Sequence, residues 1–159
     1  MHHLTARSIA EEHIFRDSSD YTTGIGLLAG LVVDGLLVCH EFCFMPTHYH
    51  VVGTFSDLSR AIHRLNRRYA TRFNRRYGRH GHVFDSPASR TEIKTDAHLL
   101  QLARYVALNP ENYETWPYSS YPGLIGAGEP FSFVDPSPIV DAFGSVEAFR
   151  RYVDEAREL

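Results

Sequence analysis

The sequence lacks long apolar runs, is poor in cysteine and contains a single lysine. No apolar stretch approaches the roughly 20 residues of a membrane-spanning helix, so we expect no membrane partner. We also expect no secretory signal at the start of the sequence. Cys39 and Cys43 lie in an extended stretch about 13 Å apart, which is too far for a disulfide. Reduced thiols favour a cytoplasmic protein.

The composition that remains is that of an ordinary globular domain. The 159 residues are 43% hydrophobic and 22% charged, and a chain of this length can bury a substantial core. There is no internal repeat and no low-complexity linker. We divide the chain into a main domain over residues 1–123 and a C-terminal extension over residues 124–159 that packs on it.

Positive charge is concentrated in one stretch of the chain, and arginine carries almost all of it. The formal net charge of −3 alone argues against a nucleic-acid partner. However, residues 60–94 hold ten of the sixteen basic residues and only two acids, whereas residues 95–159 hold four basic residues and ten acids. Arginine suits bidentate phosphate contacts and stacking on bases, so this asymmetry indicates a face that binds nucleic acid.

The first half of the chain predicts strands separated by helices. Residues 2–8 are compatible with a first strand, and the Asp-Ser-Ser-Asp signal at 17–20 predicts a helix over residues 21–33. Residues 36–44 favour a second strand, and a tight turn leads into a third strand that begins at His48. Two strands joined by a short turn predict an antiparallel hairpin.

A long arginine-rich helix is predicted next. Asp57 or Ser56 can cap a helix over residues 58–77, and Gly78 can end it. One stripe of this helix is apolar, and the rest of its surface carries seven arginines: Arg60, Arg64, Arg67, Arg68, Arg72, Arg75 and Arg76. A solvated helix face usually mixes both signs of charge. Seven arginines with no acid between them therefore favour phosphate binding.

The second half of the chain predicts one more strand and three helices. Residues 80–94 favour an extended segment, and Asp96 can cap a helix over residues 97–108 that Asn109 and Pro110 end. After an aromatic turn and a loop, a short helix from Ser137 and an amphipathic tail over residues 146–159 complete the chain.

His48 and His50 are the candidate metal ligands. Side chains alternate faces along a strand, so both imidazoles point the same way and Tyr49, between them, points into the core. The pair is about 7 Å apart at the backbone and can converge on one metal ion. An isolated pair is more often just two histidines on a solvated strand face, so the metal site depends on the other motifs.

Six short motifs occur in a distinctive order. They are residues 14–17 (IFRD), 45–50 (MPTHYH), 73–76 (FNRR), 81–84 (GHVF), 105–110 (YVALNP) and 116–121 (WPYSSY). In this order and spacing they resemble the REP-associated tyrosine transposases, in the single-tyrosine branch of the HUH single-strand transposase superfamily. The resemblance covers residues 2–123.

The resemblance implies an α+β, ferredoxin-like fold. A four-stranded antiparallel sheet would carry helices packed on one face, followed here by a short C-terminal helical extension. The His pair would lie on a central strand, Tyr105 would be the catalytic tyrosine on a following helix, and Asn109 would be a third metal ligand. Residues four apart share a helix face at about 5–6 Å, so Tyr105 and Asn109 can both face the pair. Without the pair, Tyr105 would be an ordinary half-buried tyrosine.

The implied activity is the nicking and joining of single-stranded DNA during transposition. A phenol ordinarily has a pKa of about 10 and is a poor nucleophile, so a metal that polarises the scissile phosphodiester is needed. Attack by Tyr105 on phosphorus would leave a 5′-phosphotyrosine link and a free 3′-hydroxyl. The family implies Mg²⁺ or Mn²⁺, whereas the ligand set alone also accepts Zn²⁺.

The implied partner is single-stranded or hairpin DNA, bound by a monomer or a homodimer. The expected location is the cytoplasm, in association with the nucleoid. The candidate DNA contacts are Arg7, the seven arginines of the 58–77 helix, Arg90 and Lys94. Because residues 85–90 depart from the family pattern, a domesticated or inactive nucleic-acid-binding module stays open as an alternative. A small metal-dependent hydrolase would leave the arginine-rich helix unexplained.

Overall fold

Four strands form one antiparallel sheet in the computed structural model, which describes residues 1–158. The strands are β1 (His2–Arg7), β2 (Leu37–Met45), β3 (His48–Phe55) and β4 (Ser89–Glu92), in the spatial order β2-β3-β1-β4. The helices are α1 (Ser18–Val33), α2 (Leu58–Tyr77), α3 (Asp96–Ala107), α4 (Tyr121–Leu124), α5 (Ser137–Phe143) and α6 (Val146–Arg157). The chain order through β4 is β-α-β-β-α-β, which is ferredoxin-like. The predicted α+β class and four-stranded antiparallel sheet are confirmed.

Helices cover both faces of this sheet. α1 and α2 cover one face, where they enclose sheet side chains that include Leu4, Phe44 and Tyr49. α3, α5 and α6 cover part of the other face, over Cys43 and Val52. The expectation of helices on one face therefore describes α1 and α2. The other helices lie opposite because the sheet presents a second apolar set there, which also has to leave water.

Most of the predicted boundaries follow from local capping chemistry. The Asp57 carboxylate accepts from the N–H of Arg60 at the start of α2, and Gly78 ends the helix in the left-handed conformation at φ 61°. At α3 the predicted N-terminal cap, Asp96, was wrong by one residue. The Thr95 hydroxyl accepts from the N–H of His98, so Thr95 is the cap. Asp96 lies in the first turn, where its charge suits the helix dipole.

The fourth strand is much shorter than the predicted extended segment over residues 80–94. Only Ser89–Glu92 pairs with β1, and the preceding residues form irregular loop with a single bridge between Phe84 and Ser8. Gly81 adopts φ 89°, outside strand geometry, and Pro87 has no N–H to give to a ladder. All four residues of β4 are exposed, so the sheet ends in a short open edge.

Gly24 allows α1 to lie close to the sheet. A Cβ at this position would stand 2.8 Å from the Phe44 ring and 2.9 Å from the Phe15 ring. Glycine lowers helix propensity, but at this contact any larger residue would push the helix off the sheet. Gly26 and Gly30, by contrast, face open space.

The C-terminal half closes the β2 edge of the sheet. The N–H of Phe44 donates to the Tyr118 carbonyl at 2.8 Å, and the N–H of Ser120 donates to the Phe42 carbonyl at 3.0 Å. The Trp116 indole N–H donates to the Phe44 carbonyl at 2.9 Å. The predicted division between the main domain and the C-terminal extension, at residue 123, falls inside α4 and stays a prediction.

No helix in residues 1–158 has the length and apolar character needed to cross a bilayer.

Glu41 is an acid buried in β2 where the ladder shifts register. Its side chain is 3% exposed, and neither carboxylate oxygen has a hydrogen-bond partner within residues 1–158. Burial raises the pKa of this carboxyl well above its ordinary value. Between the pKa of the unfolded carboxyl and the raised pKa of the folded one, folding therefore requires that Glu41 takes up a proton.

We predict that Glu41→Gln becomes increasingly stabilising as the pH rises. The unfolded carboxyl loses its proton above about pH 4.3, so wild-type stability falls by up to about 1.4 kcal/mol per pH unit until the folded carboxyl also ionises. Urea unfolding of both proteins between about pH 5 and about pH 8 measures the difference. Replacement of the exposed Glu129 by glutamine is the control. A difference that does not change with pH would contradict the prediction.

Candidate active site

His48 and His50 lie on the same face of β3, as strand alternation requires. Tyr49 points to the other face, where it is 1% exposed and its hydroxyl donates to the Asn66 side-chain oxygen on α2 at 2.6 Å. β3 is central in the sheet because it pairs with β2 on one side and β1 on the other. The pairing with β1 sets Arg7 opposite His48 and Thr5 opposite His50.

The amide of Asn109 bridges the two imidazoles. Its oxygen lies 3.0 Å from His48 Nε2, and its nitrogen lies 3.1 Å from His50 Nε2. An amide nitrogen can only donate, so in this arrangement His50 Nε2 carries the lone pair. Asn109 directly follows Leu108, the C-terminal cap of α3, and the helix end therefore holds the amide over the pair.

His50 is buried, at 1% exposure, beneath polar and aromatic neighbours. On its far side, Nδ1 lies 3.0 Å from His3 Nε2 and 3.0 Å from the Thr5 hydroxyl. The His3 and His50 rings stack with centroids 5.2 Å apart. These contacts hold the proton of His50 on Nδ1 and direct its Nε2 lone pair towards Asn109, which is how metal-binding histidines are commonly oriented.

All three imidazoles of this cluster are biased towards the neutral form. Burial lowers the pKa of His3 to about 4, helped by the neighbouring His98. Burial, with His3, His48 and Arg7 nearby, lowers the pKa of His50 to about 2. Burial also lowers the pKa of His48, although the hydrogen bond to Asn109 opposes the shift. Neutral imidazole is the form that coordinates a metal ion.

Tyr105 covers His50 from α3. Its ring meets the His50 ring edge-on at a centroid distance of 5.4 Å and the His3 ring at 6.3 Å. The side chain is 49% exposed, and its hydroxyl has no hydrogen-bond partner within residues 1–158. It opens onto a surface cavity of about 410 Å³ that Gln101 and Asn109 also line. A phenol placed here is accessible to a bound polymer.

The donor set fits a divalent cation. His48 Nε2, His50 Nε2 and the Asn109 side-chain oxygen converge, which gives two imidazole nitrogens and one amide oxygen. Residues 1–158 contain no group of three or more His, Cys, Asp or Glu side chains that could hold a metal ion, and the third donor here is an amide. His3 lies behind His50 rather than beside these donors.

Sequence reasoning missed His3 and Thr5. They alternate along β1 in the way that His48 and His50 alternate along β3, and that alternation is the only signal the sequence carries. Which strand lies beside β3, and in which register, depends on pairing between residues more than 40 positions apart.

The predicted DNA-binding arginines lie mostly on the opposite face of the sheet. α2 packs against the face that buries Tyr49, so its arginines do not surround the His pair. Of the other candidates, Arg7 pairs with His48 across the strands and lies on the same face of the sheet. Arg90 donates to the Ser59 hydroxyl at 3.1 Å, and Lys94 forms an ion pair with Glu92 at 3.4 Å.

The seven arginines of α2 divide into two groups. Three of them pair with acids from α1 and from its two caps: Arg64 with Asp34, Arg72 with Asp20, and Arg76 with Asp17 and Asp20. The other four make no ion pair within residues 1–158: Arg60, Arg67, Arg68 and Arg75. The absence of acids between the arginines in sequence therefore did not predict their pairing in space.

Asp20 is the centre of the paired group. It is fully buried, and burial opposes its ionisation, but hydrogen bonds from Tyr77, Arg72 and Arg76 hold its pKa below the ordinary value. Arg72 and Arg76 therefore contribute to folding, because their charges neutralise a buried carboxylate.

Comparisons with known proteins support the fold. No protein-family model and no curated protein matches this chain. A solved structure of a REP-associated tyrosine transposase bound to a REP hairpin is similar, with a TM-score of 0.65. The alignment covers 84% of this chain and 90% of that chain at 14% identity. At this identity the likeness shows the fold alone.

We predict that the His3 imidazole titrates with a midpoint of about pH 4 when the protein is folded, because burial disfavours its cation. NMR of the ring carbons against pH measures the midpoint. An unfolded histidine titrates at about pH 6.5, so this depressed pKa also makes the folded state lose stability as the pH falls below that value. Tyr105→Ala, which uncovers the ring, should raise the midpoint. A wild-type midpoint near the unfolded value would contradict the burial.

Proposed function

We propose that this protein is a metal-dependent single-stranded DNA endonuclease and strand transferase of the transposase type, with Tyr105 as its nucleophile. The observation that carries the proposal is the convergence of Tyr105, Asn109 and the His48–His50 pair on one face of the sheet. The fold that the chain shares with a REP-associated tyrosine transposase adds support at the level of architecture.

In this proposal His48, His50 and Asn109 hold a divalent cation, Mg²⁺ or Mn²⁺. The cation would polarise the scissile phosphodiester and neutralise the charge that develops on it. His3 and Thr5 keep the His50 lone pair directed at the site. The Asn109 oxygen can only accept, so His48 carries its proton on Nε2 and would have to move it to Nδ1 before coordinating.

Tyr105 supplies the covalent step. Its oxygen loses a proton to solvent, to which the half-exposed side chain is open, and attacks phosphorus. The bond between phosphorus and the 3′-oxygen breaks, the 3′-oxygen takes a proton from water, and the 5′-phosphate stays on the tyrosine. Attack by a 3′-hydroxyl reverses these steps and rejoins a strand without an external energy source.

The proposed partner is single-stranded or hairpin DNA, which the arginines without ion pairs on α2 would attract. We expect a monomer or a homodimer that acts on nucleoid DNA in the cytoplasm. The alternative is a module that binds nucleic acid without cleaving it. It is favoured by one observation, that the Asn109 nitrogen occupies the His50 Nε2 lone pair, so the amide must rotate before a cation can bind.

Replacement of Tyr105 by phenylalanine tests the proposal. The change removes one hydroxyl that has no partner in the fold, so stability should change by less than about 0.5 kcal/mol. Formation of a covalent 5′-linked adduct with hairpin or single-stranded DNA in Mn²⁺ should fall at least about a thousand-fold, because the nucleophile is gone. Denaturing gels of the reaction measure the adduct.

Tyr113→Phe is the matched control, because it removes a tyrosine hydroxyl that donates to Asp154 at 2.9 Å. This variant should retain wild-type adduct formation. An adduct with Tyr105→Phe would assign the nucleophile to another tyrosine. If the wild type gives no adduct in Mg²⁺ or Mn²⁺ but binds DNA, the binding module replaces the enzyme.

A second prediction separates the two groups of arginines. Arg68→Ala with Arg75→Ala removes two arginines without ion pairs, and should flatten the dependence of log K on log salt by about 1.4 for single-stranded DNA. Arg64→Ala with Arg72→Ala removes two paired arginines, and should mainly lower the free energy of unfolding, because Asp20 loses a partner. Fluorescence anisotropy in a salt series measures the slopes. Equal slopes for the two double variants would show that pairing does not decide which arginines bind.

A further inference from the structure

A groove runs along α2 where the 81–90 segment passes beside it. Its volume is about 570 Å³. Part of its lining is apolar and comes from Ile62 and Ala70 on α2 and from Phe84 and Ala88 on the segment. Arg67 and Arg90 line it on opposite sides, one on the helix and one on β4. The groove lies on the sheet face opposite Tyr105, and nothing in the proposed chemistry uses it.

The charge of the groove suits an anionic occupant. Arg67 and Arg90 make no ion pair within the described chain, and Arg90 extends towards α2 to donate to the Ser59 hydroxyl. Asp85 is the only acid among the lining residues. Arg67 also lines a second depression on α2 together with Arg68 and Arg75, so positive charge continues along the helix. An apolar lining beside separated cations matches the chemistry of a nucleotide, with its base and its phosphate.

The sheet edge connects this groove with the Tyr105 site. Ser89 pairs with Thr5 and Thr91 pairs with His3. The side chains of Ser89 and Thr91 therefore lie on the same face of the sheet as His50. Arg90, between them, pairs with Leu4 and faces α2. Two strand spacings, about 10 Å, separate β3 from β4, a distance that a few nucleotides span. The edge is four exposed residues long, so a strand can pass around it.

We propose that unpaired nucleotides flanking the cleavage point pass around β4 and bind in this groove, with a base on the apolar lining and phosphates on Arg67 and Arg90. This inference rests on the proposed function for the position of the scissile phosphate. The groove itself depends only on the contacts of α2 with the 81–90 segment.

The experiment compares two strands with the same central sequence, one short and one extended by unpaired nucleotides on both sides. Binding is measured by anisotropy without divalent metal, and adduct formation is measured separately in Mn²⁺. The wild type should bind the extended strand at least about tenfold more tightly than the short one. Arg67→Ala with Arg90→Ala should remove this advantage and lower the affinity for the short strand much less, because the short strand does not reach the groove.

Arg151→Ala with Arg157→Ala is the matched control, because it removes two exposed arginines of α6 that neither line the groove nor belong to the candidate DNA contacts. This control should keep the advantage of the extended strand. A photoreactive thymidine in the extension should cross-link to the peptide that contains residues 81–90. Loss of the advantage in both double variants would reduce the effect to total charge and overturn the groove.

The remaining outcomes separate the groove from the enzyme. An advantage that depends on Arg67 and Arg90, without an adduct on any strand, would support the groove and overturn the proposed activity. If an adduct forms and the advantage of the extended strand survives Arg67→Ala with Arg90→Ala, the proposed activity is supported and the groove is overturned. Displacement of the extended strand by dAMP at equal concentration would identify a free-nucleotide site and overturn the proposed strand path.

Discussion

The register of β3 between its two neighbours is the constraint on which the rest of the structure depends. In this register Tyr49 and Val51 enter the core beneath α1 and α2, and His48 and His50 face the other way. A shift by one residue would exchange these faces, because side chains alternate along a strand. It would bury both imidazoles among leucines and phenylalanines and expose a tyrosine ring. The free energy of core packing thus holds the candidate site in place, although no core residue belongs to it.

The same sheet separates two kinds of surface. The face that α3 partly covers carries the histidines and the exposed Tyr105, and α2 carries the arginines on the other side. A substrate that uses both surfaces has to be long and flexible. Single-stranded DNA meets this requirement, whereas a compact small molecule does not.

Local chemistry explains how much of the fold the sequence predicted. The α2 limits at 58 and 77 and its terminal glycine were predicted, and its cap was narrowed to Asp57 or Ser56, because caps and apolar periodicity act within a few residues. The hairpin and the shared face of His48 and His50 were predicted for the same reason. The spacing of Tyr105 and Asn109 allowed one helix face, but only the tertiary contacts place that face over the histidines.

Long-range pairing explains what the sequence did not predict. The acids that neutralise Arg64, Arg72 and Arg76 lie 30 to 59 positions away in the chain. His3 became part of the site only through the β1–β3 register. The length of β4 depended on backbone conformation at Gly81 and on Pro87, which interrupt a segment of otherwise extended character.

The candidate site is organised before any cation or DNA binds. His50 is fixed from behind by His3 and Thr5, and Asn109 is fixed by a helix that buries Leu99, Ala103 and Val106. Rotation of one amide about its side-chain bonds would free the His50 lone pair, and a shift of the His48 proton from Nε2 to Nδ1 would free the second one. No backbone movement is required. Because so few groups have to be reordered, little binding energy would be lost to conformational entropy. Burying this polar cluster therefore lowers folding stability to some extent, but it fixes the positions of the groups that form the site.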